Sequence, residues 1–283
     1  MTTSPLVSVE WLSDRIADSS NLIVDIRSAE SGGQVAFEAG HIPGAVHSDY
    51  AADGWRIAKG SAGGLLPDAA HLSALLSRIG ITPEHHVVIV SAGDAAADFS
   101  AAARVYWTLK TVGHEQVSIL DGGFRAWRET GGPEETGLSA PAADQPYPVR
   151  LTGGLRAESH AVEKALVNAD ATLLDGRSQA QFDGREKSPQ VARAGHLPGA
   201  IHLDQSWAIQ PGTGRLRPVA DLEQLFEQVP RGPVISYCNT GHLASTNWFV
   251  LSEVLGRPGV TLYDGSMSEW TQDPDRPVAT NAG

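Results

Sequence analysis

Ala194-Gly195-His196-Leu197-Pro198-Gly199-Ala200-Ile201-His202 restates Ala39-Gly40-His41-Ile42-Pro43-Gly44-Ala45-Val46-His47, differing only by exchanges among aliphatic residues. The agreement extends outward in both directions. Upstream, Leu22-Ile23-Val24-Asp25-Ile26-Arg27 is answered by Leu173-Leu174-Asp175-Gly176-Arg177. Downstream, Val87-Val88-Ile89-Val90-Ser91 is answered by Val234-Ile235-Ser236-Tyr237-Cys238. The last pair is Ile119-Leu120-Asp121-Gly122-Gly123-Phe124-Arg125-Ala126-Trp127 and Leu262-Tyr263-Asp264-Gly265-Ser266-Met267-Ser268-Glu269-Trp270. Four matched blocks in one order are the mark of an internal duplication, and two homologous domains follow. The Gly-, Pro- and Ala-rich stretch from Thr130 to Pro148 lacks apolar periodicity and reads as a linker. The expected division is a domain over 1–135, a linker over 136–149 and a second domain over 150–283.

Within each half, short apolar runs alternate with longer helical patterns. Val87–Val90 and Thr261–Tyr263 are β-branched, bounded by turn residues, and read as buried strands. Ala101–Val112 and Ala244–Leu255 suit helices stopped by Gly113 and Gly256 as C-caps. Pro218–Val229 places Leu222, Leu225 and Phe226 on one helical face. Strands alternating with helices predict a mostly parallel sheet flanked by helices on both faces, so each domain is expected to be α/β.

Composition narrows the function. A hydrophobic fraction of 41% with 19% charged residues is that of an ordinary globular chain. The net charge of -12 argues against a nucleic-acid partner, because neutralising phosphates needs a basic surface. It leaves room for a small anionic substrate in a locally cationic pocket. The opening Met1–Ile16 has no basic segment followed by an apolar one, so no secretory signal is read. No apolar run reaches the ~20 residues that span a membrane. A single cysteine excludes an intrachain disulfide and a metal site built on several thiolates. No cofactor is expected, and a reducing, cytoplasmic setting fits.

A duplicated chain carries its own control: features in both halves serve the fold, and features in one half can serve chemistry. Asp25/Arg27 and Asp175/Arg177 occur in both and read first as ion pairs bracing a loop, with ligand contact as the alternative. His41 and His196 sit in matched tight turns. Hydrogen bonding to backbone is the main expectation for His196. For His41 a catalytic role stays open, since a loop of the first domain can lie across a cleft from Cys238. Trp127 and Trp270 close matched strand-to-helix joints and read as core.

The halves differ at the end of the central strand. Ser91 stands where the second half has Cys238. The segment after Ser91, filled by Ala95-Ala96-Ala97-Asp98, reads as longer than the compact Cys238-Asn239-Thr240-Gly241-His242-Leu243 that runs into the next helix. Ligands of open α/β sheets sit beyond the carboxyl ends of strands. A short Gly-containing loop there can turn successive N–H groups inward at a helix N-terminus, making a nest for an anion. A thiolate, a bound oxyanion or a terminal persulfide would each be stabilised. A lone cysteine can also be a small buried hydrophobe, but a strand end followed by a polar loop is an uncommon place for one.

Together these elements resemble the two-domain rhodaneses, the thiosulfate and 3-mercaptopyruvate sulfurtransferases, over nearly the whole chain. The matching residues are Asp175-x-Arg177, Gly195-His196-Leu197-Pro198-Gly199-Ala200, the Cys238-x-x-Gly241 loop, Tyr263-Asp264-Gly265-Ser266 with Trp270, and Gly122-Gly123-Phe124-Arg125-Ala126-Trp127. The resemblance implies an inactive first domain and a catalytic second one, with Cys238 as a nucleophile that carries sulfur as a persulfide. The amides of Asn239, Thr240, Gly241, His242 and Leu243 would hold that anion. The implied donors are small sulfur-bearing anions, and the implied acceptors are cyanide or a thiol.

Departures from the family pattern bear on the donor. Asn239-Thr240 follows the cysteine, with Thr240 nearer the mercaptopyruvate type, and His242-Leu243 replaces a usual Val-Thr. The family's substrate-binding arginine falls here at Gln181, leaving Arg185 and Arg193 as nearby cations that can replace it. His242 can hold the thiolate as an imidazolium, shuttle a proton, or merely face solvent. Two other functions compete. A persulfide relay or regulatory module acting on a protein partner is compatible with the same residues. A cysteine phosphatase of related fold needs an arginine in the loop to clamp phosphate, and none lies between Cys238 and Ser245.

Overall fold

The computed structural model describes residues 4–139 and 145–281, so part of the expected linker lies outside the described residues. In chain order the first half forms β1 (Leu6–Val7), α1 (Val9–Ser13), β2 (Asn21–Asp25), α2 (Gly33–Ala39), β3 (Val46–His47), β4 (Ile57–Lys59) and β5 (Ala62–Leu65). It continues through α3 (Ala69–Ile79), β6 (His86–Val90), α4 (Ala96–Thr111), β7 (Val117–Leu120) and α5 (Gly123–Glu129). The second half forms β8 (Arg156–Ala157), α6 (Ser159–Asn168), β9 (Thr172–Asp175), α7 (Gln179–Asp183), β10 (Ile201–His202) and α8 (Val219–Leu225). It closes with β11 (Val234–Tyr237), α9 (Ala244–Phe249), β12 (Val260–Tyr263) and α10 (Ser266–Trp270).

Two five-stranded sheets result, ordered β1-β7-β6-β2-β3 and β8-β12-β11-β9-β10, with every pair parallel. The two orders are the same topology written twice, as the sequence repeat requires. The central strands β6 and β11 are buried along their whole length, the expected state of a parallel strand covered on both faces. Register fixes the site: Val90 pairs with Asp25 and Tyr237 with Asp175, so each central strand ends beside the Asp-x-Arg pair of its neighbour.

The chain clusters into two compact units. The first holds Met1–Trp55, Pro67–Thr152 and Gln210–Leu216; the second holds Arg56–Leu66, Gly153–Ile209 and Arg217–Gly283. A single cut at the linker therefore misses a pair of exchanged arms. The antiparallel hairpin β4-β5 packs as part of the second unit, and Gln210–Leu216 packs as part of the first. The arms are themselves a repeat. Leu66 N–H donates to the Asp264 carboxylate at 2.7 Å, and Leu216 N–H donates to the Asp121 carboxylate at 3.0 Å. Each such leucine stands two residues after a glycine, Gly64 or Gly214, that is too close to a loop for a side chain. A Cβ on Gly64 would strike the Thr240 carbonyl, and one on Gly214 would strike the Gly93 backbone.

The expected helices form with altered ends. Helix α4 begins at Ala96 rather than near Ala101. After α9 the chain continues as a π-turn over Val250–Val254, where Leu255 N–H reaches Val250 O at 2.8 Å. The Pro218–Val229 segment is α8 followed by a 3-10 turn at Phe226–Gln228.

Candidate active site

Cys238 follows β11 directly and is 1% exposed. The loop after it is drawn under the sheet end by backbone and side-chain bonds. Cys238 O accepts Met267 N–H at 3.1 Å, and Asn239 O accepts Ser268 N–H at 2.8 Å. Gly241 takes φ +67, the left-handed region that turns the loop back into α9 and that glycine reaches without strain. Ser266 Oγ lies inside the turn: it accepts the N–H groups of Cys238 (3.0 Å) and Gly241 (3.1 Å) and donates to Tyr263 O (2.7 Å). The Gly241 amide is thereby committed, which removes it from the expected set of persulfide donors. Asn239 Nδ2 donates to Gln181 Oε1 at 3.0 Å, so α7 is tied to the loop by an amide pair. Asn239 Oδ1 is buried without a hydrogen-bond partner among the described residues. Thr240 is buried, while His242 and Leu243 are half-buried at the start of α9.

Arg177 is buried and within electrostatic reach of Cys238. Its Nε donates to Asp175 Oδ1 at 2.9 Å and its Nη2 to Asp175 Oδ2 at 2.6 Å and to Gly195 O at 2.8 Å. Burial works against the guanidinium charge, but Asp175, then Tyr237 and Cys238, outweigh it and hold Arg177 above its ordinary range. Tyr237 is shifted upward as well: burial, then the Asp175 charge, raise its hydroxyl well above the usual value, so it stays neutral and accepts Leu197 N–H at 3.1 Å.

The first unit repeats the frame with Ser91 in the place of Cys238. Arg27 pairs with Asp25 and donates to Gly40 O at 2.9 Å, matching Arg177 and Gly195. Both Asp-x-Arg pairs thus brace the loop that precedes the Gly-His turn. The loop after β6, residues 91–95, proves no longer than residues 238–243, contrary to the expectation of a longer one. What shortens it is Asp98 in the first turn of α4, whose carboxylate accepts the amides of Asp94 (2.8 Å) and Ala95 (3.0 Å). The two N–H groups that lead into α4 are thus taken by the chain's own anion. Burial raises the Asp98 pKa against the pull of those two amides.

His41 and His196 have the same surroundings. Nδ1 of each lies 2.8 and 2.7 Å from the carbonyl of Phe37 and Phe182, and each ring stacks on that phenylalanine at 3.8 Å. Identical contacts in both units make them turn-fixing residues in their own units. Trp127 and Trp270 are fully buried, each donating to a proline carbonyl, at Pro133 and Pro277. Arg185 is exposed and pairs with Asp183 at 3.0 Å. Arg193 is spent on backbone, donating to Asp273 O (2.7 Å) and Arg276 O (2.8 Å). Neither is brought to the Cys238 loop by these bonds. Two features were missed from sequence: Ser266, quoted only as part of a motif, and the arm glycine Gly64. The signal for the arms was present, since Gly64-x-Leu66 and Gly214-x-Leu216 each precede a proline and a helix.

Comparison with known proteins fits this duplicated frame. The rhodanese-like domain matches residues 8–130 and again 159–273. The chain belongs to the rhodanese family. Among curated relatives of this rhodanese, a probable 3-mercaptopyruvate sulfurtransferase of Pseudomonas aeruginosa is 35% identical, covering 99% of this chain and 99% of the relative. A thiosulfate sulfurtransferase of Corynebacterium glutamicum is 32% identical, covering 97% of this chain and 90% of the relative. The crystal structure of SseA from Escherichia coli, described as a 3-mercaptopyruvate sulfotransferase, superposes with a TM-score of 0.78 at 28% identity, covering 93% of this chain and 99% of that one. Among the described residues no helix of this rhodanese is long and apolar enough to cross a membrane, and no group of three or more His, Cys, Asp or Glu is placed to hold a metal ion.

Proposed function

We propose that this rhodanese is a sulfurtransferase that moves sulfane sulfur from thiosulfate or 3-mercaptopyruvate to cyanide or a thiol through a persulfide on Cys238. The observation that carries the proposal is the position of Cys238: at the end of the central strand, on a loop turned by Gly241, beside Arg177. Relatives bearing both sulfurtransferase names match along nearly the whole chain, which supports the reaction class and leaves both donors in view.

The chemistry is a double displacement. The Cys238 thiolate attacks the outer sulfur of thiosulfate, a new S–S bond forms, the old one breaks, and sulfite leaves with the electron pair. With 3-mercaptopyruvate the C–S bond breaks instead, and the carbanion leaves as the enolate, which takes the thiol proton to become pyruvate. Either route leaves a Cys238 persulfide anion. Cyanide then attacks its terminal sulfur, thiocyanate departs and the thiolate returns. Splitting one transfer into two gives ping-pong kinetics. Loop amides oriented before the reaction stabilise the anion without reorganisation; after Ser266 takes Cys238 and Gly241, those we assign to the persulfide are Asn239, Thr240 and Leu243.

In this scheme the first unit is not catalytic, because Ser91 replaces the thiol and Asp98 takes the two N–H groups that lead into α4. Arg185, exposed and held by one ion pair, is the cation we assign to the donor, with Arg193 in a bracing role and Gln181 orienting Asn239. His41 is given no part in the chemistry. A cytoplasmic setting is inferred, since a lone persulfide-forming cysteine turns over best where thiols are reduced. Neither a nucleic-acid nor a membrane partner enters this scheme. The test is steady-state kinetics with each donor at several cyanide concentrations. Parallel double-reciprocal lines are expected for at least one donor, and intersecting lines for both would contradict a persulfide intermediate.

A further inference from the structure

Ser266 departs from its counterpart in the first unit. In the first unit the matched position is Gly123, at φ +59, where a Cβ would collide with the Ser91 carbonyl. In the second unit the same left-handed conformation is kept, at φ +49, but by a serine that is fully buried. Residues with a Cβ rarely adopt this region, and strain of that kind is retained where the surroundings hold it in place. The backbone frame gives no reason for the exchange. Ser91 O accepts Phe124 N–H and Ala92 O accepts Arg125 N–H, just as Cys238 O and Asn239 O accept Met267 and Ser268. What serine adds is its hydroxyl, and all of that hydroxyl's capacity is used: one proton donated to Tyr263 O, two lone pairs accepting Cys238 N–H and Gly241 N–H.

We propose that Ser266 is a positioning residue for sulfur transfer: its hydroxyl pins the amides at the two ends of the Cys238–Gly241 turn and so fixes the curvature that presents Cys238. The proposal rests on the sulfurtransferase function proposed for Cys238. The acceptor is neutral, which separates it from the Asp98 carboxylate of the first unit. A carboxylate under the loop would repel a persulfide anion, whereas a serine oxygen holds the turn and adds no charge. Its one proton is already given to Tyr263 O, so Ser266 acts through the loop and not on sulfur.

Ser266→Gly tests this, because glycine suits the left-handed backbone while the hydroxyl is lost. The expected result is a kcat lower by about tenfold with both donors and a KM within about threefold, the pattern of a lost transition-state contribution. Ser266→Ala, which keeps the Cβ and loses only the hydroxyl, is expected to show the same fall in kcat. Alkylation of Cys238 by iodoacetamide gives a readout that needs no sulfur donor. It is expected to slow by a similar factor in Ser266→Gly, whereas a purely structural role would loosen the buried thiol and leave alkylation unchanged or faster. Wild-type kcat and wild-type alkylation in Ser266→Gly would overturn the proposal. If Ser266→Gly does not fold, Ser266→Ala decides: a tenfold fall in kcat and alkylation supports the proposal, and near-wild-type values of both overturn it. Should the wild-type chain take no sulfur from either donor, the function proposed above falls, and the alkylation comparison still decides the part played by Ser266.

Discussion

At the scale of single residues, the site is a short list of groups whose partners define what each can do. Arg177 is buried with Asp175, and its guanidinium spans that carboxylate and the Gly195 carbonyl. Arg177→Ala leaves a buried carboxylate without its counter-charge, so urea denaturation is expected to report a loss of about 3–5 kcal/mol. Arg185 has a different expectation. It is exposed, with one ion pair to Asp183, so Arg185→Ala should leave stability near wild type and raise KM for thiosulfate and 3-mercaptopyruvate several-fold. An unchanged KM for both would remove Arg185 from donor binding. Cys238 stood out in the sequence as the proposed nucleophile because the duplication supplied Ser91 as its contrast. Ser266 was not, since a backbone angle and three hydrogen bonds from residues distant in sequence leave no trace in composition or periodicity.

At the scale of elements, the hairpin β4-β5 is the part that sequence periodicity could not have placed. Its strands are short, and Ala62-Gly63-Gly64-Leu65 has neither alternation nor a helical period. Its location depends on contacts made far along the chain: Ser268 Oγ donates to Gly63 O at 3.0 Å, Ser61 Oγ to Gln272 at 2.6 Å, and Leu66 N–H to Asp264. Gly60 and Gly64 both have positive φ, but only Gly64 faces a neighbour, the Thr240 carbonyl of the cysteine loop. Gly60→Ala therefore measures backbone strain alone, about 1 kcal/mol, with turnover unchanged. Gly64→Ala should cost more stability and also lower kcat, because the loop must move. Equal effects of the two substitutions on kcat would show that the arm does not set the loop. The central strands, by contrast, were plain in sequence: a short run dominated by β-branched and apolar residues and bounded by turn residues is what a strand buried on both faces demands.

At the scale of the whole molecule, the duplication accounts for most of what was legible. Two copies of one parallel topology, each with an Asp-Arg brace, a stacked Gly-His turn and a buried closing tryptophan, follow from four repeated blocks. The division of the chain was less legible, because exchange of the arms depends on tertiary contacts rather than on local pattern. The same scale sets the response to pH. Burial lowers His114 to about 4, and the ring is held neutral between Tyr147 Oη at 2.9 Å and Gln116 O at 3.1 Å. The unfolded chain binds a proton on His114 near the ordinary histidine value of 6.5, so it gains protons first as pH falls. Stability should thus be constant above that value and decline between it and about 4, by up to about 3 kcal/mol from this group. His86, also lowered by burial, adds in the same direction. His114→Gln should flatten the decline measured by denaturation at a series of pH values, and an unaltered slope would place the acid sensitivity elsewhere.

One measurement bears most directly on Cys238 as the sulfur carrier: intact-mass spectrometry of the protein after brief exposure to thiosulfate or to 3-mercaptopyruvate, followed by cyanide. The expected result is a gain of one sulfur atom per chain with at least one donor, mapped to the peptide of Cys238, lost again on adding cyanide with release of thiocyanate, and absent from Cys238→Ser. No added sulfur with either donor, or the same gain in Cys238→Ser, would contradict it.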